Sequence, residues 1–185
     1  MQQQFLQGIA IGNPNHTLTW AGLPVTGTYE KWAVFSKCYR YRYVLGRRWA
    51  SLHEDYSCMH VIMLNPSDAT HEIDDPTIRR CIGFAKREGY GGLVVRNLFA
   101  FRTPYPAKLI LQNDPVGPEN PMVLAHKVVH EIAIAAWGIV PPKLRKKMPL
   151  TPTVGACFGT TKEGWPKHPL YLKSDTAIRP AWRPL

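Results

Sequence analysis

The chain has 185 residues, which suits one domain of about 100–200 residues and leaves no room for two full ones. With 45% hydrophobic and 19% charged residues it has the apolar material for a packed core, which excludes a disordered chain. The 23 Lys and Arg against 13 Asp and Glu give a formal charge of +10, so a polyanionic partner is expected, nucleic acid ahead of an anionic membrane.

The longest apolar run, at 132–140, falls far short of the roughly 20 residues that a bilayer requires. The first ten residues have no basic segment and no long apolar segment, so the expected location is the cytoplasm. Cys38, Cys58, Cys81 and Cys157 form no C-x-x-C pair, which predicts reduced thiols and no zinc ribbon, iron–sulfur cluster or other cofactor.

Residues 1–31 are rich in turn formers (G-N-P-N, A-G-L-P, T-G-T) and read as an arm with little structure ahead of a domain over 32–185. From 32 to 49, Tyr39, Tyr41 and Tyr43 alternate with Arg40 and Arg42, the period of one or two half-buried antiparallel strands. The run at 58–64 reads as a buried strand that stops at Asn65-Pro66-Ser67. A helix follows, with Asp75 as cap and Pro76 in its first position, Ile78, Ile82 and Ala85 on one face, and an end near Gly89.

The pattern then predicts a strand over 92–100, a Pro-rich loop to about 118, a helix over 119–131 and a strand at 132–137. A short basic helix at 141–148, a strand near 153–158 and the segment at 167–172 complete the core, with the tail left unassigned. This alternation predicts an α/β fold: one three-layer domain whose central, mainly parallel sheet is flanked by helices. In such sheets ligands bind at the carboxyl ends of the strands.

Four of the 13 carboxylates, Asp68, Glu72, Asp74 and Asp75, fall within eight residues directly after a strand. Close carboxylates raise one another's pKa unless a cation compensates them, which points to a metal, a sugar cation or a general base; helix capping is the plainer explanation for one of the aspartates. Asn65 stands at the end of one strand and Asn97 at the end of the next, with Phe99 and Phe101 close by. An amide beside aromatic rings suits a planar heterocycle, one group pairing with its edge and the other stacking on its face. His126 and His130 stand four apart but lack the glutamate of H-E-x-x-H, so no metal site is assigned to the histidines. The stretch at 143–147 (Lys143, Arg145, Lys146, Lys147), with Arg79, Arg80, Arg102 and Lys167, is expected to track phosphates, and Arg40, Arg42, Arg47 and Arg48 join it as candidates.

The motifs M-L-N-P-S-D-A-T, D-D-P-T-I-R-R-C, N-L-F-A-F-R, P-V-G-P-E-N, A-A-W-G and G-W-P-K-H-P-L-Y-L resemble the DUF1643 family of bacterial and phage proteins over about residues 35–172. More distantly, M-L-N-P-S, V-V-R-N-L-F-A-F-R-T-P and K-H-P-L look like the ordered motifs of the uracil-DNA glycosylase superfamily. That resemblance implies a fold of that kind and a role for each matching residue. Asn65 positions the attacking water, Asn97, Phe99 and Ser67 hold the base, and His168 hydrogen-bonds its oxygen while Asp74 or Asp75 stabilises the sugar cation. Ser67 stands in place of a second glycine and H-P-L in place of H-P-S, which implies an altered pocket. The chain is similar to phage-restricting glycosylases that excise sugar-modified cytosine, so the expected reaction is removal of a modified pyrimidine, glucosylated hydroxymethylcytosine among them, from DNA. The alternatives are a metal-dependent nucleotide hydrolase or transferase, and a non-catalytic DNA-binding module.

Overall fold

The computed structural model describes residues 9–11, 18–51, 57–126, 132–149 and 153–180. Strands β1 (Ile9–Ile11), β2 (Leu18–Trp20) and β3 (Leu23–Pro24) pair antiparallel in a small sheet. The eight-stranded main sheet holds β4 (Thr26–Gly27), β5 (Lys31–Phe35), β6 (Arg42–Arg48), β7 (Cys58–Met63), β8 (Gly92–Asn97), β9 (Ala133–Ala135), β10 (Val154–Cys157) and β11 (Arg179–Pro180). Their spatial order is β11-β10-β9-β7-β8-β6-β5-β4. The four central strands β10, β9, β7 and β8 run parallel, and β6, β5, β4 and β11 are added antiparallel at the two sides. The sheet is therefore mixed rather than mainly parallel. The expected hairpin from 32 to 49 is what supplies the antiparallel half, because a tight connection can join only antiparallel neighbours.

Helices cover both faces. On one lies α1 (Pro76–Arg87), whose Ile78, Cys81, Phe84 and Ala85 pack on Met59, Val61, Leu93 and Val95 of the sheet. Its start is local chemistry: Asp75 Oδ1 accepts from the Ile78 N–H at 2.8 Å and Pro76 occupies the first position, where no N–H is needed. On the other face lie α2 (Pro106–Ile110), α3 (Asn120–Ala125) and α4 (Pro142–Arg145), which contribute Leu109, Leu124 and Leu144 to a second cluster with Phe99 and Trp137. The helix expected over 119–131 is described only to Ala125; the rest of that expectation, 127–131 with His130, lies outside the described residues.

The arm expected at 1–31 contains more structure than its turn residues suggest. Trp20 is fully buried beside Trp32, Val34, Tyr43 and Val123, and β4 forms one edge of the main sheet. Period-2 reasoning misses two-residue and three-residue strands, whose stability comes from the neighbours they pair with. Among the described residues no helix is long and apolar enough to cross a membrane.

Candidate active site

The connections that leave β7 and β9 go opposite ways, β7 through α1 to β8 and β9 through α4 to β10, so a topological switch point, where open α/β sheets place a ligand crevice, lies between their carboxyl ends. Two loops line it. The first follows β7 and begins with Asn65, whose Nδ2 donates to the carbonyls of Thr103 at 2.7 Å and Pro66 at 3.0 Å. Pro66 in turn accepts from the Thr103 N–H at 2.9 Å, so the loops after β7 and β8 hold each other. With both amide hydrogens taken by carbonyls, Asn65 has its Oδ1 left as an acceptor, the polarity needed to hold a water by its hydrogen.

The second loop follows β9 and turns at Gly138, whose φ of 72° lies in the left-handed region that favours glycine. A Cβ built there would stand 3.6 Å from the Cβ of His168, and the Gly138 N–H donates to Pro166 O at 2.9 Å. The backbone turn thus brings the late His168-Pro169 segment to the switch point. His168 precedes a single 3-10 turn, Pro169–Tyr171, and its Nδ1 accepts from the Leu170 N–H at 3.3 Å. In the neutral ring the proton is then on Nε2, which makes that atom a donor. Burial pulls the imidazole pKa below its ordinary value and the Asp75 carboxylate pushes partly back, so at neutral pH the ring is uncharged.

The segment from Asn65 to Asp75 is held from beneath by two buried arginines of β6. Arg42 Nη1 donates to Ala69 O at 2.8 Å, and Arg47 donates through Nη2 to Thr70 O at 2.5 Å and through Nε to Asp74 Oδ1 at 2.8 Å. Burial pushes the Arg42 guanidinium down to about 9, with Asp75 opposing, so it remains charged at neutral pH. The four carboxylates are therefore separated. Asp74 pairs with Arg47, Asp75 caps α1 while its charge acts on Arg42 and His168, Asp68 lines a cleft beside Ser67, and Glu72 is exposed. Among the described residues no group of three His, Cys, Asp or Glu stands close enough to hold a metal ion. Of the two aspartates between which the sequence left the choice open, Asp74 is paired with Arg47, and Asp75 is the one whose charge acts on His168.

The family described as a protein of unknown function (DUF1643) matches residues 42–170. This is most of the chain. The chain belongs to the DUF1643 family. No curated protein and no solved structure matches it.

The DUF1643 region contains every residue that gathers at this crevice: Asn65, Asp75, Gly138 and His168. Asn97 is 1% exposed near the end of β8, opposite Met63, and its buried Oδ1 has no hydrogen-bond partner among the described residues. Phe99 corrects the sequence reading: it is fully buried in the cluster with Leu109, Leu124 and Trp137, so neither face of its ring is open for stacking. Phe101, half-buried in the cleft with Ser67, has the accessible ring instead.

The cations expected to track phosphates divide by environment. Lys143, Arg145, Lys146, Lys147, Lys167 and Arg79 are exposed, although Lys147 Nζ donates to Gln112 O at 2.9 Å and Arg145 Nε to Val140 O at 3.1 Å. Arg79 also bonds back to the Asp74 carbonyl. Arg80 donates to Leu172 O and, with Arg87, ties the chain after His168 to α1, so its part is to hold that segment in place. Arg42, Arg47 and Arg48 are buried and bonded to carbonyls of this chain and, for Arg47, to the Asp74 carboxylate, so they cannot follow a phosphate backbone. Sequence reasoning missed the positioning by Arg42, and also Asn120, fully buried, which donates from Nδ2 to the carbonyls of Asn97 and Leu98 at 3.0 Å each. The repeat of Asn-Pro at 120–121 after 65–66 was the available signal for Asn120.

Proposed function

We propose that this DUF1643 protein is a monofunctional DNA glycosylase that hydrolyses the N-glycosidic bond of a modified pyrimidine and leaves an abasic site. The observation that carries the reading is His168: an uncharged, half-buried imidazole whose Nε2–H is the free donor, at a topological switch point and in the field of Asp75.

The chemistry needs two opposite charges stabilised a few ångströms apart. As the C1′–N bond breaks, its electron pair leaves with the base and the sugar becomes oxocarbenium-like. An Nε2–H donor at the base oxygen stabilises the departing anion, and the Asp75 carboxylate stabilises the cation. A water held by Asn65 Oδ1 adds its oxygen to C1′, and its proton reaches the departing base through solvent, so the net change is addition of water across the C–N bond. A neutral donor suits this better than an imidazolium, which would pair with Asp75 and cancel the carboxylate the cation needs.

The target base must leave a duplex stack to reach the crevice, and the exposed cations Lys143, Lys146, Lys167 and Arg79 supply phosphate contacts that offset this cost. The cytoplasm, DNA as partner and a role against phage whose cytosines carry glucosylated hydroxymethyl groups belong to the same proposal. They rest on the resemblance of the motifs around Asn65, Asn97 and His168.

The test is mass spectrometry of bases released from a panel of DNAs, uracil-containing and glucosylated hydroxymethylcytosine DNA included, with Asn65→Ala as control. Free base released by the wild type alone supports the reading and identifies the substrate. No release from any DNA by folded protein overturns it.

A further inference from the structure

A second concavity lies at the same edge of the sheet, on the side of β6. Because β6 runs antiparallel to β8, the turn between β5 and β6 stands beside the carboxyl end of β8 and faces the loop 98–104. Between them is a cleft of about 230 Å³, lined by Tyr39, Arg40, Phe101 and Arg102 and, from the loop after β7, by Ser67 and Asp68. It adjoins the candidate active site directly, since Thr103, another lining residue, is the one whose carbonyl accepts from Asn65.

The walls of this cleft are held in place. Tyr39 sits in the left-handed region at φ 56°, with its N–H on Ser36 O at 2.9 Å and its carbonyl accepting from Arg102 Nη1 at 3.1 Å. The Arg102 N–H donates to Arg40 O at 3.0 Å, which ties the two sides together. Arg102 lies 5.0 Å over the Phe35 ring and Arg40 5.9 Å over that of Phe101, both within cation–π range. Tyr39 packs its ring 5.2 Å from that of Phe35 and keeps 55% of its surface exposed, so part of the ring is open to a ligand.

Aromatic rings and guanidinium groups that share a cleft with a carboxylate and a hydroxyl form a donor and acceptor set for one nucleotide. The rings stack on a base, which every base permits, and the arginines take the phosphate. Asp68 accepts from an exocyclic amine or ring N–H, and Ser67 takes either polarity. A volume below the roughly 300 Å³ at which drug-sized pockets begin suits a ligand as small as one base. We propose that this cleft is a second nucleotide subsite, which stacks a base of a single strand neighbouring the one at His168 between Tyr39 and Phe101 and grips its phosphate with Arg40 and Arg102. The inference rests on the glycosylase reading in taking DNA as the ligand and in placing the neighbouring base at His168.

The test measures binding of the full chain to a fluorescent hexathymidylate strand and to thymidine monophosphate, in parallel with base release. Tyr39→Asn removes the ring while keeping a residue that accepts a left-handed backbone, and Tyr39→Phe keeps the ring. Arg40→Gln removes an exposed cation that lies over the Phe101 ring. The expected result is strand binding weakened about tenfold by Tyr39→Asn and unchanged by Tyr39→Phe. Arg40→Gln is expected to lower the slope of log affinity against log salt by about 0.7. Unchanged strand affinity in both Tyr39→Asn and Arg40→Gln, with their folds intact, overturns the subsite. Equal affinity for the mononucleotide and the strand, lost together in Tyr39→Asn, overturns the strand assignment in favour of a free nucleotide. Base release with an unaffected strand affinity sinks this proposal and spares the glycosylase; the predicted binding losses without any base release do the reverse.

Discussion

Arg42 and Arg47 on β6 and the cations around α4 carry the same kind of charge and do opposite things. The first two are 2% and 3% exposed and spend their donors on Ala69, Thr70 and Asp74, so they hold the loop that carries Asn65 and Asp75. Lys143 and Lys146 are exposed, and their charge faces water. A guanidinium under a loop is a positioning device whose loss is felt as stability and geometry; an ammonium on the surface is a field whose loss is felt as salt dependence. The formal charge of +10 counts both kinds alike.

The largest effect expected from this contrast is at Asp75. Asparagine caps a helix about as well as aspartate, so Asp75→Asn keeps α1 and removes the charge that acts on both His168 and the buried Arg42. Excision turnover should fall about 10²–10³-fold, the range for losing one preorganised group, and the melting midpoint should fall as well, because Arg42 loses a compensating charge. Equal losses in turnover and DNA affinity would move Asp75 from charge stabilisation to ground-state binding.

Asp74 tests the positioning half. Asp74→Ala leaves Arg47 buried without its carboxylate and should cost about 3 kcal/mol of unfolding free energy in urea melts. The double variant Asp74→Ala/Arg47→Met should be less stable than Asp74→Ala alone, because it also removes the bonds of Arg47 to the Thr70 and Gly46 carbonyls. If the double variant is the more stable of the two, the orphaned charge outweighs those bonds and Arg47 does not hold the loop by them.

His168 supplies a pH test with a definite sign. Its pKa is depressed in the folded state, so the unfolded chain binds more protons and the stability contribution is complete above about 6.5. That contribution is lost as pH falls from there through the folded-state value. Turnover should fall on the acid side with a midpoint below 6.5, and His168→Gln should flatten the fall in stability between pH 6.5 and 5. An acid limb unchanged in an otherwise active His168→Gln protein would assign the titration elsewhere.

The smallest effect is expected at the surface. Lys143→Gln/Lys146→Gln should lower the salt slope of DNA binding by about 0.7–0.9 for each phosphate that is no longer neutralised, and shift stability by no more than about 0.5 kcal/mol. An unchanged slope would make the α4 cations an ordinary solvated face.

The helix start at Asp75-Pro76, the strands expected at 58–64 and 92–100 and found at 58–63 and 92–97, and the placement of Asn65 just past a strand end were legible, because each depends on a few neighbouring residues: a cap, a ring-locked φ, an apolar run that stops at Asn-Pro. The burial of Phe99 and the exposure of Tyr39 were not, because alternation gives a period but not which face is covered. The two-residue and three-residue strands at the N-terminal side and at Arg179–Pro180 carry too little pattern to be seen without their partners.

Spacing and motif are enough to establish the local elements, their α/β order and the membership of residues 42–170 in one family. Packing alone makes the sheet mixed and ties Asp74 to Arg47, which leaves Asp75 as the aspartate whose charge acts on His168. Packing also lets a glycine turn after β9 bring His168 to the crevice and lays two arginines of β6 under the site. Those outcomes depend on which groups, far apart along the chain, are desolvated together, and no local window of sequence contains that information.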